Sequence, residues 1–380
     1  TSTTASDSVM IGFTAGDAIT TGTSNTGVGS DVMTATTTGD KNIAMGGSAL
    51  GANTTGCCNT AIGFQAMITN TTANDNVAVG NIALKLNTTG ANNTALGAYA
   101  LTANTTGASN VSVGQNSSAA NTTGANNTVV GAEAFDTNTT GGNNVAIGKL
   151  TLTANTTGGN NSAVGVSALG ATTTGSGNTA LGKEALLNNT TGDENVAVGI
   201  FALRKNTTAS KNTSMGYAAL CSNTTGAQNT AVGANALECN TTGTVSTAVG
   251  MEALCGQTTG DNNTAFGYKA LKVTTTSKFN TAVGNEALVA NTTACCNTAI
   301  GWRSMCANTT GAGNTAVGKD SLPDNTTASN NTAVGCGALL ENTTGTTNTA
   351  VGRISLANIT TGTNNVGMGA ETMTDLTTGS

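Results

Sequence analysis

The sequence predicts an all-β fold, a parallel β-solenoid of 22 coils with 17 residues in each coil. Three observations predict it. A glycine recurs every 17 residues from Gly12 to Gly369 without insertion or deletion, and the apolar and charged residues between these glycines keep separate registers. A unit of this length is too short for a helical hairpin repeat, and tandem units without insertions or deletions stack on one another. We therefore expect one continuous solenoid domain over residues 1–380.

Each coil follows the consensus Asn-Thr-Ala-Val-Gly-x-x-Ala-Leu-x-x-Asn-Thr-Thr-Gly-x-x, numbered below as positions 1 to 17 with the recurring glycine at position 5. Residues 93–109 are a near-perfect copy. Positions 2 to 4 combine β-branched and small residues, which predicts a short strand that ends at the glycine. Further extended stretches are expected at positions 8–9 and 12–14. Successive coils should stack in parallel about 4.8 Å apart.

Apolar residues mark the expected core. Position 4 is apolar in every copy and position 9 is Leu, Met or Phe in all but two, so we predict that both fill the interior. The thirteen basic and nineteen acidic residues all fall at positions 6, 7, 10, 11, 16 or 17, which predicts that these six positions face water. This separation of apolar and charged residues into different repeat positions argues against the disorder that 8% charged and 3% aromatic residues would otherwise suggest. A single proline, Pro323, and the wrong glycine period exclude collagen.

Polar ladders must supply much of the stability, because one coil buries too little apolar surface to fold alone. Asn at positions 1 and 12 is expected to bond the coil above it, as stacked asparagines do in cross-β structures. Glycine at positions 5 and 15 is expected to allow corner angles that other residues resist. Small residues at positions 3 and 8 imply close approach on both strand faces, which favours a homotrimer over the alternative of a monomeric solenoid.

The composition gives no support for catalysis. The chain has no histidine, its carboxylates are scattered over exposed positions, and its glycines form no phosphate-binding motif. We predict no catalytic site, no cofactor and no metal. A net charge of −6 without a basic cluster argues against nucleic acid as a partner. No apolar stretch approaches the roughly 18 residues of a membrane span and no signal peptide precedes Thr1, so we expect a soluble chain without membrane insertion.

Cysteines occur only at the variable positions. The nine are Cys57, Cys58, Cys221, Cys239, Cys255, Cys295, Cys296, Cys306 and Cys336. Cys239, at position 11, lies one coil from Cys221 and from Cys255, both at position 10, and this offset places Cα atoms about 6 Å apart, within disulfide range. We predict a disulfide from Cys239 to one of these two, with free exposed thiols as the alternative. The vicinal pairs could link chains, and the spacings do not match a structural zinc site.

Asn-Thr-Thr glycosylation sequons recur at position 12. The asparagines are Asn53, Asn70, Asn87, Asn104, Asn121, Asn138, Asn155, Asn189, Asn206, Asn223, Asn240, Asn291, Asn308, Asn325 and Asn342. In a secretory host they could carry a column of N-glycans. The alternative is that a ladder asparagine followed by strand threonines creates the sequon automatically, without any modification.

The repeat string, at Asn229 to Gly243 and again at Asn348 to Gly362, resembles repeats of bacterial and phage tail-fibre-like proteins that often end in an endosialidase-type intramolecular chaperone. Its first half is similar to the head repeats of trimeric autotransporter adhesins, best matched by Val145 to Gly148. The resemblance implies a left-handed, homotrimeric β-roll at a cell surface or in a virion fibre. The autotransporter repeat is shorter, which implies a wider cross-section here. Neither a chaperone nor an anchor follows Ser380, so we expect maturation cleavage or a fragment.

Three functions remain open from the sequence. The first is a non-enzymatic extracellular fibre or shaft with an adhesive role, whose variable positions would contact a cell-surface receptor or glycan. Tyr217, Tyr268 and Trp302 lie at such positions, and we favour the interpretation that these three are incidental surface residues over a receptor contact. The second is a filament subunit that stacks end to end through open strand edges. The third is an ice- or polysaccharide-binding solenoid, whose paired threonine array would be widened only at Thr36, Thr172 and Thr274.

Overall fold

The computed structural model describes residues 7–379 and confirms a parallel β-solenoid with one short strand in each coil. It divides into two compact units, the first ending at Asp193 and the second beginning at Glu194. The first unit contains β1 (Val9–Ile11), β2 (Thr26–Val28), β3 (Ile43–Met45), β4 (Thr60–Ile62), β5 (Val77–Val79), β6 (Thr94–Leu96), β7 (Val111–Val113), β8 (Thr128–Val130), β9 (Val145–Ile147), β10 (Ser162–Val164) and β11 (Thr179–Leu181). The second unit contains β12 (Val196–Val198), β13 (Thr213–Met215), β14 (Thr230–Val232), β15 (Thr247–Val249), β16 (Thr264–Phe266), β17 (Thr281–Val283), β18 (Thr298–Ile300), β19 (Thr315–Val317), β20 (Thr332–Val334), β21 (Thr349–Val351) and β22 (Val366–Met368).

Strand register in each unit follows the repeat without a slip. Every strand pairs in parallel with the next, and each residue lies opposite its counterpart 17 residues on. Ala61 is opposite Ala78 in the first unit, for example, and Ala231 is opposite Ala248 in the second. Identical side chains therefore stack directly on one another, which is the arrangement that the 17-residue period predicts.

The expected strands at positions 8–9 and 12–14 are not formed. Position 9 adopts a left-handed backbone conformation, with φ of 51° at Leu84, and positions 7 and 17 do so as well. A β-strand cannot pass through positions 7 and 9, which explains why no strand forms at positions 8–9. These segments still bond between coils, since Leu84 N donates to Ala100 O at 2.9 Å and Thr88 N donates to Thr105 O at 2.9 Å.

The prediction that position 4 fills the interior was wrong. The side chain at position 3 points inward and is fully buried at Ala95, whereas position 4 on the same strand is exposed, with 46% of Leu96 accessible. Positions 2 and 4 lie on one face of the strand and position 3 on the other. The interior is filled by positions 3, 8 and 9, here Ala95, Ala100 and Leu101, together with two buried asparagine columns. Position 4 therefore points away from this interior.

The two asparagine ladders predicted at positions 1 and 12 are confirmed. Asn42 donates its backbone and side-chain amides to Asn25 Oδ1 in the preceding coil, at 2.9 and 3.1 Å. Asn70 Nδ2 donates to Asn53 Oδ1 at 3.1 Å in the same way. Within one coil, Asn42 and Asn53 both donate to the carbonyl oxygen of Gly56, at 2.9 and 3.0 Å. The ladders thus join coils along the stack and close each coil across its interior.

The glycine at position 5 behaves as predicted, with φ of 136° at Gly335. A Cβ atom there would lie 2.6 Å from the carbonyl carbon of Gly352, so both the backbone angle and the close approach of the next coil require glycine. Position 15 differs from the prediction, because Gly56 has no unusual φ. Close packing explains that glycine instead, since Gly56 lies against the backbone of the next coil and the side chains of Asn53 and Asn59.

Candidate interaction surface

An exposed apolar row runs along the outer strand face of each unit, formed by the residues at position 4. In the first unit these residues are Ile11, Val28, Met45, Ile62, Val79, Leu96, Val113, Val130, Ile147, Val164 and Leu181. Most are exposed over more than a third of their surface, for example 46% of Leu96 and 49% of Leu181. In the second unit 56% of Phe266 is exposed at the same position. Large exposed apolar patches on soluble proteins commonly mark interaction surfaces.

Charge is absent from this face although the face is accessible to water. The neighbouring outward position 2 carries Thr, Val, Ile or Ser, and every charged residue of the chain lies at the six other positions predicted to be exposed. None of the charged side chains within residues 7–379 is buried. The strand face is therefore charge-free by position, whereas the corners of the coil carry the charge.

A second charge-free face is formed by the threonines at positions 13 and 14. The position 13 hydroxyl is used within the solenoid, since Thr88 Oγ1 donates to Thr105 O at 3.0 Å. The position 14 residue, such as Thr89 or Thr106, is exposed in every copy before the last coil. The threonines expected to widen this array, Thr36, Thr172 and Thr274, are fully buried and do not reach the surface. One exposed threonine per coil remains on this face.

Aromatic side chains lie mainly at the corner that follows the position 5 glycine. Trp302, at position 6, is 43% exposed. Arg303 and Lys319 lie over its ring, with their charged groups 5.2 and 5.1 Å from the ring centroid. Lys269 lies 4.6 Å from the Tyr268 centroid in the same way. These contacts hold the rings at the variable corner, where Trp302 is exposed and Tyr268 is half-buried. A contact with a receptor or glycan is one of the two interpretations that the sequence leaves open for these residues.

A further corner aromatic, Tyr217, packs edge-to-face against Phe201 of the preceding coil, with ring centroids 6.1 Å apart. The ring of Phe201 also carries Arg204, whose guanidinium carbon is 5.1 Å from the centroid. Tyr217 is still 55% exposed. All three aromatic residues proposed from the sequence therefore have accessible surface.

The predicted thiol cluster is brought together. Cys239 is exposed, and Cys221 and Cys255 are half-buried on the adjacent coils. Cys239 N donates to Cys255 O at 3.1 Å, and the Cys255 thiol donates to Glu238 Oε2 at 3.6 Å. Burial, followed by the nearby Cys239 and Glu238, raises the pKa of the Cys255 thiol to about 12. All three cysteines carry free thiols in this structure.

The sequon asparagines lie inside the coil. All fifteen are almost completely buried, and Asn104 Nδ2, for example, donates to Asn87 Oδ1 and to Gly107 O, each at 2.9 Å. The nitrogen that would carry a glycan is thus held in the ladder. A glycan would have to be attached before the coil closes, and it would remove at least one of the two hydrogen bonds, because the glycosylated amide keeps a single N–H.

Within residues 7–379, no group of three or more Cys, Asp or Glu side chains is arranged to hold a metal ion. The same residues include no helix with the length and hydropathy of a membrane span. The apolar row was not identified as a surface from the sequence, because alternation shows that positions 2 and 4 share a face but not which face points inward. The filling of the interior by Asn, Ala and Leu was the signal that could have identified it.

Comparison with known proteins gave no match to a family model and no match to a curated protein.

Proposed function

We propose that this chain is a non-enzymatic structural subunit of an extracellular fibre, of the cell-surface or virion kind, which associates laterally with further copies of itself as a homotrimer. The exposed apolar row at position 4 is the observation that supports this proposal. An apolar residue occupies this outward position in every coil, while the corner positions vary freely and carry all the charge. In the single chain a large part of such side chains stays in contact with water, 46% of Leu96 and 56% of Phe266.

A second copy of the chain is the partner that fits such a row best. A partner that makes the same contact in every coil must itself repeat with the coil spacing, and another solenoid of the same sequence does. The threonine face supplies a second charge-free surface, so a chain could contact two neighbours through different faces, as cyclic trimers with heterologous interfaces require. The aromatic and charged corners would remain accessible for adhesion.

The magnitude of the apolar contribution favours contact along a whole unit. Covering the exposed part of one position 4 side chain contributes about 0.5–1 kcal/mol. Eleven such residues contribute roughly 6–11 kcal/mol, which is comparable to the 4–15 kcal/mol that association costs in lost freedom. A short contact over two or three coils would therefore be too weak, whereas an interface along a unit reaches the required range.

Sedimentation of the purified chain with a matched pair of double variants tests the proposal. Leu96→Lys with Leu181→Lys places charge in the row, where 46% and 49% of these side chains are exposed. Leu86→Lys with Val166→Lys places the same charge at positions 11 and 6, where 42% and 47% are exposed. We expect the native chain and the control to sediment as trimers of the 36.9 kDa chain. The row variant should sediment as a monomer with unchanged circular dichroism.

Electron micrographs of the native species should show slender fibres of one width. A native chain that stays at 36.9 kDa in dilute and concentrated solution would contradict lateral association. Equal dissociation of both double variants would show that the apolar row has no special role.

A further inference from the structure

Three thiols lie on three consecutive coils of the second unit. Cys221 and Cys255 occupy position 10 and Cys239 occupies position 11 of the coil between them. Cysteine is absent from these positions in nearly all other coils, so the repeat itself does not require the cluster. Cys239 is exposed and the other two are half-buried.

The structure distinguishes the two neighbours of Cys239. Its backbone amide donates to the carbonyl of Cys255 at 3.1 Å. Across the preceding pair of coils the corresponding bond runs from Ser222 N to Glu238 O at 3.0 Å, so it joins neither Cys221 nor Cys239. The cysteine that bonds directly to Cys239 through the backbone is therefore Cys255, and its thiol also reaches Glu238, the chain neighbour of Cys239, at 3.6 Å.

Glu238 adds an acid–base group to this pair. Its Oε2 atom accepts a hydrogen bond from the Cys255 thiol at 3.6 Å, so a carboxylate lies where it can take up the proton of that thiol. Because only a thiolate attacks a disulfide, a positioned acceptor matters most for a thiol that burial keeps protonated. Cys239, the more exposed of the two, is the thiol that a small molecule in solution reaches first.

We propose that Cys239 and Cys255 form a redox-active dithiol that closes to an intramolecular disulfide by exchange with a low-molecular-weight disulfide. In the first step the Cys239 thiolate attacks one sulfur of the small disulfide, forms a mixed disulfide and releases one small thiolate. In the second step Cys255 passes its proton to Glu238, attacks Cys239 Sγ, and releases the second small thiolate. Two protein thiols are oxidised and the small disulfide is reduced to two thiols, so atoms and electrons balance.

The cross-link joins two successive coils through their exposed side. In this proposal the disulfide partner of Cys239 is Cys255 and not Cys221. Formation of the cross-link does not depend on the oligomeric state proposed above. Cys221 remains a free thiol beside the pair.

Peptide mapping after oxidation tests the proposal on the full chain. The native protein is incubated with oxidised glutathione, quenched with acid, alkylated with N-ethylmaleimide and digested by cleavage after glutamate without reduction. Cleavage after Glu194, Glu238, Glu252 and Glu286 places the three cysteines on separate peptides, 195–238, 239–252 and 253–286. We expect peptides 239–252 and 253–286 to be joined with the loss of two hydrogens, and peptide 195–238 to carry the alkylating group.

Three variants separate the roles of the thiols. Cys255→Ser should accumulate a glutathione mixed disulfide on peptide 239–252, because the second step is blocked. Cys239→Ser should abolish the cross-link and the mixed disulfide on that peptide, whereas Cys221→Ser should leave the cross-link unchanged. A link between peptides 195–238 and 239–252, complete alkylation of all three thiols, or a Cys255→Ser protein without mixed disulfide would overturn the proposal.

Discussion

Asn42 donates two hydrogen bonds to a single oxygen of Asn25, one from its backbone amide at 2.9 Å and one from its side chain at 3.1 Å. This contact recurs from coil to coil and gives the solenoid a polar interior beside its alanine and leucine columns. A buried asparagine is costly unless its polar atoms are paired, and here the next coil supplies the partner. The interior therefore requires the same residue in successive coils, which explains the strict period better than apolar packing does.

Breaking the ladder at one coil should destabilise the fold. In Asn104→Ala, the buried Oδ1 atom of Asn87 loses the donor that lies 2.9 Å away. We expect the free energy of unfolding of the first unit to fall by about 1–3 kcal/mol, as for other buried polar groups left unpaired. Asn188→Ala, at an exposed position of the same unit, is the control and should change it by less than about 0.5 kcal/mol. Equal shifts in the urea unfolding midpoints of the two variants would contradict a structural role for the ladder.

Repairing a natural gap in the ladder should have the opposite effect. Thr172 replaces asparagine at position 12, and both its hydroxyl and the Oδ1 atom of Asn155 in the preceding coil are buried without a hydrogen-bond partner. Thr172→Asn would supply a donor to Asn155 Oδ1, with its amide in the place that Asn155 itself occupies one coil earlier. We expect a gain in the free energy of unfolding of about 0.5–1.5 kcal/mol, the usual net value of one hydrogen bond.

The control for this repair is Thr174→Asn, which introduces the same side chain at exposed position 14 of the same coil. It should leave the unfolding midpoint unchanged, because the added amide is satisfied by water in both states. A repaired variant no more stable than this control would show that the unpaired oxygen of Asn155 costs nothing.

Much of the fold could be predicted from the sequence, because the repeat constrains register directly. The period predicted the parallel stacking, the asparagine ladders and the position 5 corner, and the charge pattern predicted the outer positions. The placement of Leu96 could not be predicted in this way, since alternation alone does not reveal which strand face points inward. The left-handed backbone at Leu84 could not be predicted from the sequence either, because leucine gives no local signal for positive φ. Tertiary packing, rather than local preference, decides both features.

The corner glycine offers a sharp comparison within one coil. In Gly335→Ala, the new Cβ atom would lie 2.6 Å from the carbonyl carbon of Gly352, at a φ of 136° that other residues rarely adopt. In Gly337→Ala, φ is 64° and the nearest atom is Ile354 Cγ1 at an ordinary 3.6 Å. Backbone strain alone costs roughly 1–3 kcal/mol. We expect Gly337→Ala to lower the free energy of unfolding by an amount within that range, and Gly335→Ala to lower it by more.

Urea unfolding of both variants, followed by circular dichroism, measures the difference. Position 7 carries residues such as Asn235 and Glu286 at positive φ in other coils, so a side chain is tolerated there. Similar losses in the two variants would mean that the contact between successive position 5 glycines does not limit the fold.

The Glu238 carboxylate should control the reactivity of Cys255. Burial is the largest cause of the raised pKa of this thiol, about 12, and the nearby Cys239 and Glu238 raise it further. Glu238→Gln removes a negative charge beside the sulfur, so the pKa of Cys255 should fall toward the ordinary value of 9.0. Below the pKa, each unit of decrease raises the thiolate fraction about tenfold at fixed pH. Alkylation of reduced protein by iodoacetamide at pH 9 should therefore become faster at Cys255.

The measurement remains possible in the variant, because cleavage after Glu252 and Glu286 still isolates Cys255 on peptide 253–286. Glu341→Gln removes the same charge in another coil of the second unit and should leave the Cys255 rate unchanged. The exchange reaction should respond differently from alkylation, because the amide that Glu238→Gln introduces cannot take up the thiol proton. Glu238→Gln should therefore increase the rate of closure of the Cys239–Cys255 disulfide by oxidised glutathione less than it increases the rate of alkylation. An unchanged or slower alkylation rate at Cys255 would show that Glu238 does not act on this thiol.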